Sequence, residues 1–292
     1  MTVSNSDLTI LDGGMGRELQ ARGLAKRGSV WSALALVEAP DVVADVHREF
    51  VEAGAEVIIT NNYSVVPLML DREGWLDRFD ELLIRSGEIA SSVRDSATAE
   101  FRIAGALPPL HTSYTPAEVG VEADNIVIYQ RIAERLSPHV DLFVCETMSS
   151  AAEARSAVRA AALFDKPIWV AWALSKRADG TLLSGETIEE AYERLAGLPI
   201  DAFLCNCSTP EAISAALPRL RERTAVPIGG YANSFGVPPE GGGPRPLREE
   251  LTPEAYAATA LEWRASGASI IGGCCGISPK HINVMAHALR EP

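Results

Sequence analysis

A chain of 292 residues, 47% hydrophobic and 22% charged, has ample material for a packed core and too ordinary a composition for disorder or a fibrous repeat. Acidic residues outnumber basic ones by 39 to 26, a formal net charge of −13, which argues against the clustered Lys and Arg that a phosphate backbone requires. No apolar run approaches the roughly 18 residues that cross a bilayer, and no secretory pattern opens the chain; five cysteines, two of them adjacent, suit a reducing cytoplasm better than a disulfide framework.

Short β-branched runs at 8–12, 57–61, 103–107, 142–146, 168–173, 202–206, 226–230 and 269–273 read as strands. Most are apolar throughout, as strands buried on both faces are. Amphipathic segments lie between them. The first, at 40–53, begins on Pro40, carries Val42, Val43, Val46, Phe50 and Val51 as one stripe, and stops at Gly54. Helices at 78–96, 124–136, 151–163, 188–196, 211–221, 253–265 and 279–289 complete the set. Eight strands, each followed by a helix, predict an α/β fold: a single (β/α)8 TIM barrel spanning residues 1–292. An open doubly wound sheet is the alternative, but it usually carries a phosphate-binding glycine fingerprint after its first strand. The Gly- and Pro-rich stretch 237–246 reads either as a loop over the barrel mouth or as a surface insertion without catalytic consequence.

Barrel enzymes keep their reactive groups at the carboxyl ends of the strands. Those ends carry Asp12-Gly13-Gly14-Met15-Gly16, Thr60-Asn61-Asn62-Tyr63, Cys145-Glu146-Thr147, Cys205-Asn206-Cys207-Ser208 and Gly272-Gly273-Cys274-Cys275-Gly276. Three thiolates from the sixth and eighth strand ends can form a three-cysteine zinc site that leaves the fourth position open. In a regular strand Cys274 and Cys275 face opposite ways, but the glycines beside them supply irregular backbone that lets both turn toward one ion. Cys205 and Cys207, two apart, are expected to share a face. Cys207 is nearer the rim, whereas Cys205 suits a core position one layer down, as does Cys145. Inert core thiols, a redox pair and a metal-free cysteine nucleophile are the competing readings.

Asp-Gly-Gly-Met-Gly from Asp12, Glu-Thr at Glu146, Asn-Cys at Asn206 and Gly-Gly-Cys-Cys-Gly from Gly272 follow in order along the chain. On these motifs the sequence resembles the homocysteine S-methyltransferase family. The resemblance implies a (β/α)8 barrel in which Cys207, Cys274 and Cys275 bind Zn2+, while Asp12 and Glu146 hold the amino group of homocysteine. Two carboxylates suit an ammonium through charge-assisted hydrogen bonds. Backbone amides of Gly13, Gly14 and Met15 are candidates to cradle the substrate carboxylate, and Asn206 joins the substrate-binding set. The competing roles are a helix N-cap for Asp12 and a structural pair with an arginine for Glu146.

The methyl donor must carry a good leaving group, a sulfonium or quaternary ammonium, and aromatic faces attract such cations. Tyr63, Tyr114 and Tyr231 are the candidates; Trp169 and Trp172, three apart on one strand, point to opposite faces. Gly230-Tyr231-Ala232-Asn233-Ser234 resembles a Tyr-Pro-Asn-Ser segment of the sulfonium-using branch, departing from it at Ala232. S-methylmethionine is the expected donor, with S-adenosylmethionine, a betaine-like or other onium, and a different thiol or selenol acceptor as alternatives. His111 follows the third strand and is a candidate to face the mouth, while His47, His281 and His287 fall on helices. The expected partners are these small molecules, with no nucleic acid or membrane, in a monomer or small homo-oligomer.

Overall fold

The computed structural model of the protein describes residues 8–24, 30–236 and 245–291, so most of the 237–246 stretch, residues 237–244, lies outside the described residues. Among the described residues eight strands run parallel: β1 (Thr9–Ile10), β2 (Val57–Ile59), β3 (Arg102–Leu107), β4 (Leu142–Met148), β5 (Ile168–Trp172), β6 (Ala202–Asn206), β7 (Ile228–Ala232) and β8 (Ile270–Gly273). Their order is β1-β8-β7-β6-β5-β4-β3-β2. The two ends of that order then meet. Leu11 bridges Val57, the Glu56 N–H donates to the Ile10 carbonyl at 2.7 Å, and the Asp12 N–H donates to the Val57 carbonyl at 3.0 Å. The sheet therefore closes on itself, and the predicted TIM barrel is the fold.

Apolar strands are needed because each strand faces two dry layers. Leu11, Val57, Ala104, Leu142, Val144, Trp169, Ala171, Leu204, Tyr231 and Ile270 fill the barrel interior as one buried cluster. Their neighbours Ile10, Ile58, Ile103, Phe143, Val170, Phe203 and Ile271 face outward into the larger core beneath the helices. Trp169 belongs to the inner layer and Trp172 to the outer, where it stacks on Phe203 at 5.3 Å, as their spacing requires. The helices that cover the outside are α3 (Pro40–Glu52), α5 (Phe79–Ser96), α6 (Glu122–Leu136), α7 (Ala151–Ala161), α8 (Ile188–Glu193), α9 (Pro210–Arg221), α10 (Pro253–Ala265) and α11 (Pro279–Arg290). Several begin where chemistry dictates: Ser150, Thr187, Thr209 and Thr252 accept a hydrogen bond from the backbone N–H three residues on.

The boundaries differ from expectation in instructive places. Strand β7 sits two residues later than 226–230, because Pro227 has no N–H to give a ladder. The glycine pair reads from sequence as the end of that strand but lies at its start, where a Cβ on Gly229 would fall 1.7 Å from the Ile270 carbonyl oxygen. Strand β4 runs past 146 to Met148 through an irregularity between Cys145 and Met148. Strand β1 shrinks to two residues, and α8 ends at Glu193 instead of 196. Three further helices, α1 (Met15–Ala21), α2 (Trp31–Glu38) and α4 (Pro67–Arg72), occupy connections to which the sequence pattern assigns no element. No described helix is long and apolar enough to cross a membrane.

His47 on α3 is fully buried, and among the described residues neither ring nitrogen has a partner. Burial alone pushes its pKa down to about 4. An unfolded histidine titrates near 6.5, so stability is fully present above that pH and is lost as pH falls through the window toward 4. The loss amounts to roughly 3 kcal/mol. Urea unfolding of wild type and His47→Leu across this window should show that the wild type loses more stability on acidification, by about this amount. Equal slopes would mean His47 stays neutral or finds a partner.

Candidate metal centre

Each site group is carried to the rim by a departure from regular strand geometry. On β6 the alternation places Leu204 and Asn206 inside the barrel and Cys205 outside, in the core under the helices. Cys205 thus faces the outer layer and is not one layer below Cys207. By the same alternation Cys207 would follow Cys205 outward. Instead its φ is +44°, a region that side chains other than glycine rarely adopt. Its N–H donates to the Tyr231 carbonyl at 3.0 Å, and its own carbonyl accepts from the Asn233 amide at 2.5 Å. Those two bonds hold the turn that swings the thiol inward.

On the other side β8 ends at Gly273, and Cys274 and Cys275 lie in a turn closed by the Ile277 N–H donating to the Cys274 carbonyl at 3.0 Å. Gly276 supplies the turn's φ of +86°. The adjacent cysteines are released from opposite faces as the glycines suggested. The sulfurs of Cys207, Cys274 and Cys275 all lie within 4.8 Å of one another, and those of Cys207 and Cys275 are 3.9 Å apart. The Tyr114 hydroxyl donates to the Cys207 sulfur at 2.8 Å. With two thiols and a phenol aimed at it, Cys207 is held well below its ordinary pKa, and Cys274 and Cys275 are pushed up as its donors. By contrast, burial pushes up the isolated thiols Cys145 and Cys205, as inert core residues require.

This donor set suits a soft, tetrahedral divalent ion: three cysteine sulfurs converge, and among the described residues no fourth His, Cys, Asp or Glu joins them. A cavity of about 890 Å³ opens beside it, lined by Cys207, Tyr114, Asn233, Phe235, Lys176 and Arg245 among others.

Asp12 and Glu146 stand on the same rim, nearly buried at 4% and 7% exposure. Burial pushes the Asp12 carboxyl up to about 8, against backbone hydrogen bonds from the Ile59 N–H at 2.8 Å and from its own N–H. Burial and the neighbouring charges of Cys207 and Asp12 push Glu146 up to about 8 as well. The first helix after β1 takes no side-chain cap from Asp12, its N-cap being Gly14. Among the described residues Glu146 pairs with no arginine. Two of the three amides proposed as an anion cradle are already engaged: Gly14 N–H donates to Ile277 and Met15 N–H to Gly13. The glycines here have a closer duty. A Cβ on Gly14 would lie 2.6 Å from the Cys274 carbonyl, so only glycine lets this loop press against the cysteine turn.

Asn206 is fully buried and its amide is spent on Thr147, as acceptor from the N–H at 2.9 Å and donor to the hydroxyl at 3.0 Å. Tyr63 hydrogen-bonds Ser113 at 2.8 Å, and Tyr231 is buried with its hydroxyl unpartnered. The His111 ring packs against Gly120, and His111 does not join the cysteine cluster. Sequence reasoning missed the grips of Tyr114 and Asn233 on Cys207. No local pattern announces a contact between a loop tyrosine and a thiol 93 residues away.

Residues 9–289 match the family described as homocysteine S-methyltransferase. The chain is 29% identical over 296 residues to the homocysteine S-methyltransferase of Escherichia coli K12, covering 96% of this chain and 94% of that one. It is 28% identical over 309 residues to the homocysteine S-methyltransferase YbgG of Bacillus subtilis 168, covering 97% and 95%. Among solved structures it is similar to the metallated form of the homocysteine methyltransferase MmuM of Escherichia coli, with a TM-score of 0.83 and 26% identity over 97% of this chain and 96% of that one. The apo form of the same protein fits with a TM-score of 0.74.

Purified under reducing conditions and supplied with zinc, the protein should hold about one ion per chain by elemental analysis. Changing any one of Cys207, Cys274 or Cys275 to serine should weaken binding by more than the roughly 10- to 100-fold typical of outer-shell changes, whereas Cys205→Ser and Cys145→Ser should retain the ion. Retention in all three rim variants would remove the metal reading of the cluster.

Proposed function

Since the chain belongs to the homocysteine S-methyltransferase family, we propose that it moves a methyl group from a sulfonium donor, S-methylmethionine in first place, to the thiol of L-homocysteine, giving methionine. The observation that carries this reading is the meeting of three convergent thiols with two buried carboxylates on one barrel rim. Cys207, Cys274 and Cys275 hold Zn2+ in this proposal. The ion, when bound, favours the thiolate form of an arriving thiol and orients it.

The rest of the site belongs to the chain. Asp12 keeps one carboxylate oxygen on the Ile59 amide and has another to offer, and Glu146 has both. Together they take the homocysteine ammonium through charge-assisted hydrogen bonds. The thiol proton leaves as the substrate binds. The homocysteine sulfur then forms a bond to the donor methyl as the donor's own carbon–sulfur bond breaks, and that electron pair stays behind on a neutral thioether. Positioning of sulfur and methyl in line is the principal contribution of such a site.

The cavity beside Cys207 is where the donor fits. Tyr114 borders it and presents an aromatic ring to a sulfonium. Lys176 and Arg245 on its wall offer cations to the carboxylate of a zwitterionic donor. Those groups support an amino-acid sulfonium over a simple alkyl onium.

Methionine formation from homocysteine should be followed with S-methylmethionine, S-adenosylmethionine and betaine in turn. Turnover with S-methylmethionine is expected to exceed the others, and preference for betaine would overturn the donor assignment. Full activity after chelation, lost on alkylating one cysteine, would favour a metal-free cysteine nucleophile. Asp12→Asn should raise the homocysteine KM by roughly 10-fold or more, since a charged hydrogen bond contributes about 1.5–3 kcal/mol. Because burial holds the empty Asp12 carboxyl near 8, it must lose a proton to take the ammonium. Wild-type affinity should therefore strengthen as pH rises toward 8, and the Asp12→Asn profile should lack that component. Profiles of identical shape would place the ammonium elsewhere.

A further inference from the structure

The Asn206 amide reaches across from β6 to the neighbourhood of β4 and spends both its ends on one residue. Its Oδ1 accepts from the Thr147 N–H at 2.9 Å and its Nδ2 donates to the Thr147 hydroxyl at 3.0 Å. Thr147 is a conspicuous thing to hold. It is a β-branched residue at φ +59°, where such side chains are strongly disfavoured. It is also the extra residue of β4. Cys145 pairs with Val170 and Met148 with Trp172, so Glu146 and Thr147 together stand opposite Ala171 alone, the two-against-one arrangement of a bulge.

That extra residue changes the phase of the strand just beyond Glu146. Phe143, Cys145 and Met148 all face the outer core, while Leu142 and Val144 face the barrel interior. Uninterrupted alternation from Cys145 would turn Met148 inward. With Thr147 absorbing one position, Glu146 keeps the inward phase of Leu142 and Val144 at the mouth, and Met148 returns to the outer core. Thr147 itself is 1% exposed and Asn206 fully buried, so both bonds are shielded from bulk solvent.

We propose that Asn206 is a positioning residue: by gripping both the backbone N–H and the hydroxyl of Thr147 it fixes the peptide that joins Glu146 to Thr147, and so holds the Glu146 carboxylate in place for the substrate ammonium. This rests on the role given to Glu146 above. It assigns Asn206 an action through Glu146 and no contact of its own with substrate. The neighbour Cys207 turns at the next residue of the same strand end, so one short segment sets both a thiol and a carboxylate.

The test is a double-mutant cycle of Asn206→Ala and Thr147→Gly, read in two ways. Glycine accepts positive φ without steric penalty, so a bulge with glycine at 147 needs no grip. In Asn206→Ala, amide hydrogen exchange in the 142–149 segment should quicken, and the homocysteine KM should rise on the order of 10- to 100-fold, the scale of a small misplacement of a binding group. Zinc content should stay near that of wild type. Adding Thr147→Gly to Asn206→Ala should recover most of the KM. Unchanged exchange in Asn206→Ala would overturn the grip itself. Faster exchange with an unchanged KM, or a double variant as poor as Asn206→Ala, would overturn the positioning role. A wild type that makes no methionine with any onium donor would count against the proposed activity alone, and the exchange data would still decide whether Asn206 holds Thr147.

Discussion

A β-strand shows successive side chains to opposite faces, and that alternation is the constraint against which this site is built. The barrel mouth needs neighbours in sequence, Cys274 with Cys275 and Asn206 with Cys207, to work on one side. Each is obtained by ending or breaking a ladder. Among the described residues four non-glycine residues have positive φ, and three of them, Tyr114, Thr147 and Cys207, surround the cysteine cluster. Such conformations cost on the order of 1–3 kcal/mol each and persist only where the surroundings over-determine them. Here the surroundings are visible: Asn206 holds Thr147, while Tyr231 and Asn233 hold Cys207. The strain is local to the rim, and the regular ladders below it supply the rigidity.

How far the sequence disclosed this follows from the range of the interactions. Strand and helix identity depends on local periodicity, and the inner and outer layers were legible because Trp169 and Trp172 or Leu204 and Cys205 follow a period of two. The cysteines at the two strand ends were legible as a set because thiols with glycines beside them are chemically conspicuous. The orientation of Cys205 was not, since the argument that it shares a face with Cys207 holds only while the strand stays regular. Strand β7 was misplaced because its glycines mark close packing against Ile270 and not a turn. The backbone acceptors of the Gly14 and Met15 amides, Ile277 and Gly13, were not legible for a related reason: they are set by how the first loop docks on the last. Contacts such as Tyr114 on Cys207 lie beyond any local pattern.

The two ends of the barrel use the same kind of residue in opposite ways. At the amino ends of the strands, Glu56, Asp141 and Asp201 each accept a neighbouring strand's backbone N–H, from Ile10 at 3.0 Å, Ile103 at 2.7 Å and Ile168 at 2.8 Å. Glu56 and Asp141 are further neutralised by Arg290 and Arg94. Those carboxylates are consumed by the fold. At the carboxyl ends, Asp12 gives one oxygen to the Ile59 amide, and Glu146 is set beside the like charges of Cys207 and Asp12.

Buried carboxyls and thiols gathered on one rim repel one another's charges, and protons held by the raised Asp12 and Glu146 carboxyls relieve that repulsion. Groups in that condition select cations by sign before shape enters. The cluster of three sulfurs takes the charge that soft donors favour, and the carboxyls take a charge that donates hydrogen bonds. In the proposed reading a metal dication and a substrate ammonium would meet those two demands separately, with the segment joining Asn206 to Cys207 setting the distance between them. Rigidity at that one strand end therefore bears on both binding and reaction, because sulfur and amino group belong to the same small molecule and neither can be placed without the other.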